Sequence, residues 1–369
     1  MSGARLVWLV SGRFDLAFFF APAILALLLV PLGPYLAPAG ETPTAAWVVA
    51  VLLVDVGHVW STLYRTYLDR RELARRPWLY ALTPALGYAV GLAIALFGEG
   101  AFWTALAYLA AFHFVRQQYG FMALAARQEP PRGRLDRALD AAAIYAATLY
   151  PLLWWHAHLP RRFDWFLPGD FAHLPLSAAT VDSLLVPQAL LLGAFLLRQS
   201  ARARATGCWP AAKVLVVVTT ALTWGIGIIA TDSDWAFTVT NVLAHGVPYY
   251  ALVWRYGRRS AEAYPARGLL AWIFGGRRWA AFVALAVVLA YLEELGWDRL
   301  FWHERPALFP GPALDPGAAA PFLLPLLALP QVVHYVLDGF IWRAGRSDDP
   351  RLAALLQPAA GAPFEAPRA

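Results

Sequence analysis

Apolar residues run along this chain in blocks of about twenty, the length that carries a helix across a bilayer. Ten such blocks stand out, at 16–37, 45–66, 78–97, 101–124, 138–157, 181–198, 212–231, 235–254, 279–295 and 320–342. Polar residues inside them recur at helical rather than alternating spacing, so the pattern predicts helices and no extended strands. Pro84, Pro187, Pro248, Pro325 and Pro330 fall within blocks. A membrane helix tolerates them because neighbouring helices satisfy the freed carbonyls. The expected fold is all-α, a polytopic transmembrane bundle of about ten spans. It forms one domain over 1–343, followed by a mobile, Pro/Ala-rich cytoplasmic tail over 344–369.

Composition strengthens this reading. Hydrophobic residues make up 60% of the 369 and charged residues only 15%, which a soluble chain of this size could not cover. Lys213 is the one lysine among 30 basic residues, a usage that points to a GC-rich bacterial genome and not to nucleic-acid binding. The single cysteine, Cys208, excludes an internal disulfide and a multi-cysteine metal site. The early apolar stretch has no convincing small-residue cleavage site, so no removable signal is expected.

Arginine placement gives an orientation. Basic residues gather before the first block and after the second, fourth, sixth, eighth and tenth; Arg161, Arg162, Arg299 and Arg305 fall on the other side, and Arg116 lies within a block. The positive-inside rule then puts both termini in the cytoplasm of a bacterial inner membrane. The long loops at about 158–180 and 296–319 read as Trp-, Phe- and Pro-rich interfacial caps, with membrane lipids as neighbours.

Candidate chemistry sits in four even-numbered blocks: Asp55-Val56-Gly57-His58, His113-Phe114-Val115-Arg116-Gln117, Asn241-Val242-Leu243-Ala244-His245-Gly246 and Gln331-Val332-Val333-His334-Tyr335-Val336-Leu337-Asp338. All four run in the same direction. His58, His245, His334 and His113 precede Arg65, Arg255, Arg343 and Arg127 by seven, ten, nine and fourteen residues. At about 1.5 Å per residue they share one depth within roughly 10 Å. Each has a polar neighbour one helical turn away: Asp55, Gln117, Asn241 and Asp338. The odd-numbered blocks read as lacking histidine or deeply placed charge.

A charged side chain near a helix centre costs about 2.5–3.5 kcal/mol on insertion scales. Asp55, Arg116 and Asp338 therefore call for a compensating cluster. A cation on His58, His113, His245 and His334 would offset the two carboxylates. Asp55, Gln117, Asn241 and Asp338 would orient the imidazoles, some acids serving as ligands themselves. Arg116 would pair with a carboxylate or bind an anionic substrate group.

Imidazole and carboxylate donors without thiolate suit iron, zinc or copper(II). Non-haem iron activating dioxygen on a lipophilic small molecule, with an electron-donor protein as further partner, is the leading expectation. Bis-histidine haem in an electron-transfer subunit uses the same residues. A proton- or ion-coupled transporter, or polar contacts that only fix helix register, are the other readings. A looser external group, His156, His158, His173 and His303, reads by default as loop histidines.

The four histidines, with the strings Ala244-His245-Gly246 and His334-Tyr335-Val336-Leu337-Asp338, resemble the Brp/Blh-type membrane carotene dioxygenases. The resemblance implies one iron held by four intramembrane histidines. It covers four short segments; the Pro-His-Gly string of that family is absent and the span arrangement here is longer. The clustered HxxxH and HxxHH boxes of membrane desaturases and hydroxylases do not occur.

Overall fold

The computed structural model describes residues 4–38, 41–263 and 268–342. The tail expected over 344–369 lies outside the described residues. Ten long helices fall on the ten apolar blocks: α1 (Gly12–Leu36), α2 (Thr44–Arg65), α3 (Pro77–Phe97), α4 (Glu99–Ala125), α5 (Arg134–Ala157), α6 (Ala178–Thr206), α7 (Ala211–Ala230), α8 (Asp234–Ala263), α9 (Trp279–Trp302) and α10 (Gly317–Ile341). Among the described residues the extended pairing is limited to Arg5–Leu6 beside Cys208–Trp209.

Seven of these helices are long and apolar enough to cross a membrane: α1, α2, α3, α6, α7, α9 and α10. The remaining three hold polar side chains that lower their apolarity. These include His113, Gln117 and Gln118 in α4, Asp136 and Asp140 in α5, and Asn241 and His245 in α8, all buried.

Helix α8 stands at the centre, packed on α1, α2 and α7, while α10 packs on α3 and α4 and α9 on α2. Two glycines let α2 and α8 approach closely. A Cβ on Gly246 would lie 2.7 Å from Val54 Cγ1 and 2.9 Å from the Val54 carbonyl oxygen. A Cβ on Gly57 would overlap the Tyr250 hydroxyl. Over Val48–Val56 helix α2 widens into π-helical turns that end directly before Gly57 and His58. Such widening is concentrated at functional sites, because it re-aims the side chains that follow.

The odd-numbered helices are free neither of histidine nor of deep charge, contrary to the sequence expectation: His156 lies near the end of α5. Asp140 on α5 and Lys213 on α7 are each 1% exposed, and the Lys213 ammonium lies 3.0 Å from both Asp140 and Glu129. Arg132 adds a 2.6 Å contact to Asp140, so the charges compensate one another instead of facing lipid. Glu293 and Glu294 on α9 are also buried.

Candidate metal centre

His58, His113, His245 and His334 come from α2, α4, α8 and α10 and cluster with their rings in contact, none more than 2% exposed. His58 Nε2 lies 3.1 Å from His245 Nε2, and His113 Nε2 lies 3.2 Å from His334 Nε2. The rings meet edge to face, with centroids 4.6–5.2 Å apart around the four. An ion bound tetrahedrally at about 2.0–2.1 Å sets its donor nitrogens about 3.3–3.4 Å apart, close to the spacing found here. His58, His113 and His334 form one potential ligand group, and Asp55, His58 and His245 a second.

The surroundings orient the imidazoles. His58 Nδ1 donates to the Val54 carbonyl at 3.2 Å, so a neutral His58 presents a bare Nε2 lone pair to the centre. His334 Nδ1 contacts Thr62 Oγ1 at 2.7 Å; Thr62 contacts the Tyr249 hydroxyl at 2.8 Å, and Tyr249 donates to Asp338 Oδ1 at 2.7 Å. His245 stacks on Phe114 with centroids 3.7 Å apart and planes within 1°. His113 stacks on Tyr335 at 4.5 Å.

The polar neighbours one turn away behave differently from expectation. Asp338 stands 3.9 Å from His334 Nδ1, beyond a direct hydrogen bond, and is linked to it through Tyr249 and Thr62. Asp55 Oδ1 stands 3.7 Å from His58 Nδ1, whose hydrogen bond goes to the Val54 carbonyl. Asn241 donates to the Phe237 carbonyl and the Thr240 hydroxyl, not to His245. Both amide atoms of Gln117 are buried without a partner among the described residues.

Arg116 points away from the centre. It is exposed, donates to the Tyr145 hydroxyl and lies over the Tyr119 ring. Arg65 on α2, read from sequence only as a basic residue following the second block, is the buried arginine of this region. It is 2% exposed, donates to the Ile341 carbonyl and sits between the Tyr256 and Trp342 rings.

The external histidines have local partners. His156 bonds the Leu152 carbonyl and the Tyr108 hydroxyl; His158 bonds the Trp154 carbonyl and faces Asp182. Among the described residues they form no ligand group.

Two spaces adjoin the centre. A polar cavity of about 410 Å³ opens between the arginine-poor loops and the histidines, lined among others by Asp55, Asn241, Glu294, Gln331 and Tyr335. Asp164 in its wall lies outside the helices, and desolvation pushes its carboxyl above the ordinary range. An apolar groove of about 560 Å³ runs between α3, α4 and α10, from Trp78 and Leu82 to Val332, Val336 and Phe340. Leu106 lines both.

Sequence reading assigned no role in this region to Thr62, Glu293 or Glu294. Thr62 carries a signal in hindsight: it lies four residues after His58, on the same helix face. Glu293 and Glu294 carried one too, as adjacent carboxylates inside an apolar block. Comparison with protein-family models, curated proteins and solved structures finds no match to this chain.

Proposed function

We propose that this chain is a multi-pass inner-membrane oxidoreductase with ten spans and both termini in the cytoplasm. It holds iron on His58, His113, His245 and His334 and acts on a lipophilic small molecule, in the manner of the Brp/Blh-type dioxygenases. The observation that carries the reading is the pair of Nε2–Nε2 separations, 3.1 and 3.2 Å, in a site with no more than 2% exposure. Two buried imidazole pairs at that spacing are arranged as donors to one ion. The closeness favours a bare ion over haem, whose axial nitrogens must straddle a macrocycle. Zinc and copper are the other ions such a donor set takes.

The chain's residues supply the remaining requirements. Val54 and Thr62 fix ring orientation, and Phe114 and Tyr335 keep the centre dry. The apolar groove beside α10 offers a lipophilic substrate a lateral approach from the bilayer. An electron-donor protein would dock on the arginine-rich face. Anaerobic purification followed by metal analysis and an optical spectrum tests the proposal. It expects about one iron per chain without a Soret band. Metal-free protein, or spectra and activity unchanged in His58→Ala and His334→Ala, would contradict it.

One observation favours a second reading. The polar cavity on one side of the histidines and the Thr62–Tyr249–Asp338 chain on the other together make a polar track along the bundle. A proton- or ion-coupled transporter needs such a track. Uptake into proteoliposomes that depends on a pH gradient would support this reading over the oxidoreductase.

A further inference from the structure

The polar cavity is chemically one-sided. Six carboxylates line it (Glu41, Asp55, Asp164, Asp234, Glu294 and Glu304) against two arginines, Arg162 and Arg305. Arg305 is already paired with Glu304 at 2.7 Å. Two buried amides add to the imbalance. Asn241 is 3% exposed; its Nδ2 is engaged by the Phe237 carbonyl, and its Oδ1 has no partner among the described residues. Gln331 is 9% exposed; its Nε2 donates to Glu293 Oε1 at 3.1 Å, and its Oε1 is likewise without a partner. Glu293 is held in turn by Trp60 Nε1 at 2.7 Å. Each amide therefore keeps an unpartnered acceptor oxygen, not an N–H, buried in the wall of the cavity that the residue lines. An unsatisfied buried acceptor costs about 1–3 kcal/mol, so a donor or a cation is the fitting occupant.

Asp55 joins this cavity to the histidines. It lines the chamber, its side chain is 31% exposed there, and it belongs to the potential ligand group with His58 and His245. Carboxylate and amide oxygens are the donors that hard divalent cations take while exchanging water. A negatively lined cleft with low-dielectric walls also concentrates cations at its base.

We propose that the chamber is a loading vestibule: it admits a divalent cation from the arginine-poor face and passes it through Asp55 to the histidine centre. The proposal rests on the metal reading of the four histidines. Asp55, Glu294, Asn241 and Gln331 are positioning residues for the entering ion, and Glu293 sets the direction of Gln331.

The test is stopped-flow loading of chelator-stripped, full-length protein with Co²⁺, followed by its visible absorption. Glu294→Gln is expected to slow loading about tenfold or more while the final Co²⁺ per chain stays at the wild-type value, and Asp55→Asn to slow loading at least as much. Raising ionic strength should slow the wild type and affect Glu294→Gln less. Glu304→Gln, at the exposed rim, gives a variant with little risk to folding and should show a smaller slowing in the same direction. Loading at wild-type rate in all three variants, with normal final occupancy, would overturn the vestibule and leave the metal centre intact. Wild-type protein that takes up no Co²⁺ or Fe²⁺ would overturn the metal reading, and the vestibule with it.

Discussion

Gly246 stands against the backbone of Val54, and the Val54 carbonyl accepts the Nδ1–H of His58. One close helix contact therefore sets the separation of α2 and α8 and the tautomer of a proposed ligand. His245 precedes Gly246 by one residue, so the glycine also fixes how near the two imidazoles come.

Gly246→Ala should open this contact. The new Cβ would meet Val54 Cγ1 at 2.7 Å and the carbonyl oxygen at 2.9 Å. Overpacking of this kind costs about 1–3 kcal/mol. The expected result is a lower thermal midpoint together with loss of metal. Gly120→Ala on α4 is the control, since no atom outside its own helix lies within 4 Å of the added Cβ. It should change neither reading.

Thr62→Val keeps side-chain shape and removes the hydroxyl that links His334 to Tyr249 and Asp338. Outer partners of ligating histidines contribute about 10–100-fold in affinity. Chelator competition should show a fall of that order with folding retained. An unchanged affinity would mean that the Thr62–Tyr249–Asp338 chain does not support the centre.

Arg116→Gln should leave metal content and thermal stability at wild-type values. The guanidinium is exposed and bonded to Tyr145, away from the histidines. A loss of metal in this variant would restore the role that the sequence alone suggests for Arg116.

Lys213→Met should destabilise the bundle without touching the centre. Removing the ammonium leaves Glu129 and Asp140 buried with less compensation, and breaking a buried pair costs about 3–5 kcal/mol. Thermal unfolding in detergent should show a marked drop, while metal per folded chain stays constant.

The ten helices were legible because each apolar block states its own length, and burial in lipid leaves the backbone few alternatives. The four histidines were legible for a related reason. Their grouping was expected from counting residues to the following arginines, and counting survives without coordinates. Lateral relationships were not legible. Helical spacing placed Asp338 beside His334 and Asn241 beside His245, yet packing gave Thr62 to His334 and Tyr249 to Asp338 as hydrogen-bond partners and turned Asn241 to its own backbone. Arg116 went to Tyr145 and not to a carboxylate because a helix position says which face a residue occupies only once the neighbours are known. Glu293 escaped notice because its partners, Trp60 and Gln331, lie on other helices.

The central claim is that four imidazoles share one ion. X-ray absorption at the metal edge of anaerobically purified protein reports this most directly. The account predicts a first shell dominated by nitrogen, with the multiple-scattering pattern of four imidazoles, reduced to three in His245→Ala. A shell of oxygen or sulfur without imidazole scattering, or a spectrum unchanged by His245→Ala, would contradict it.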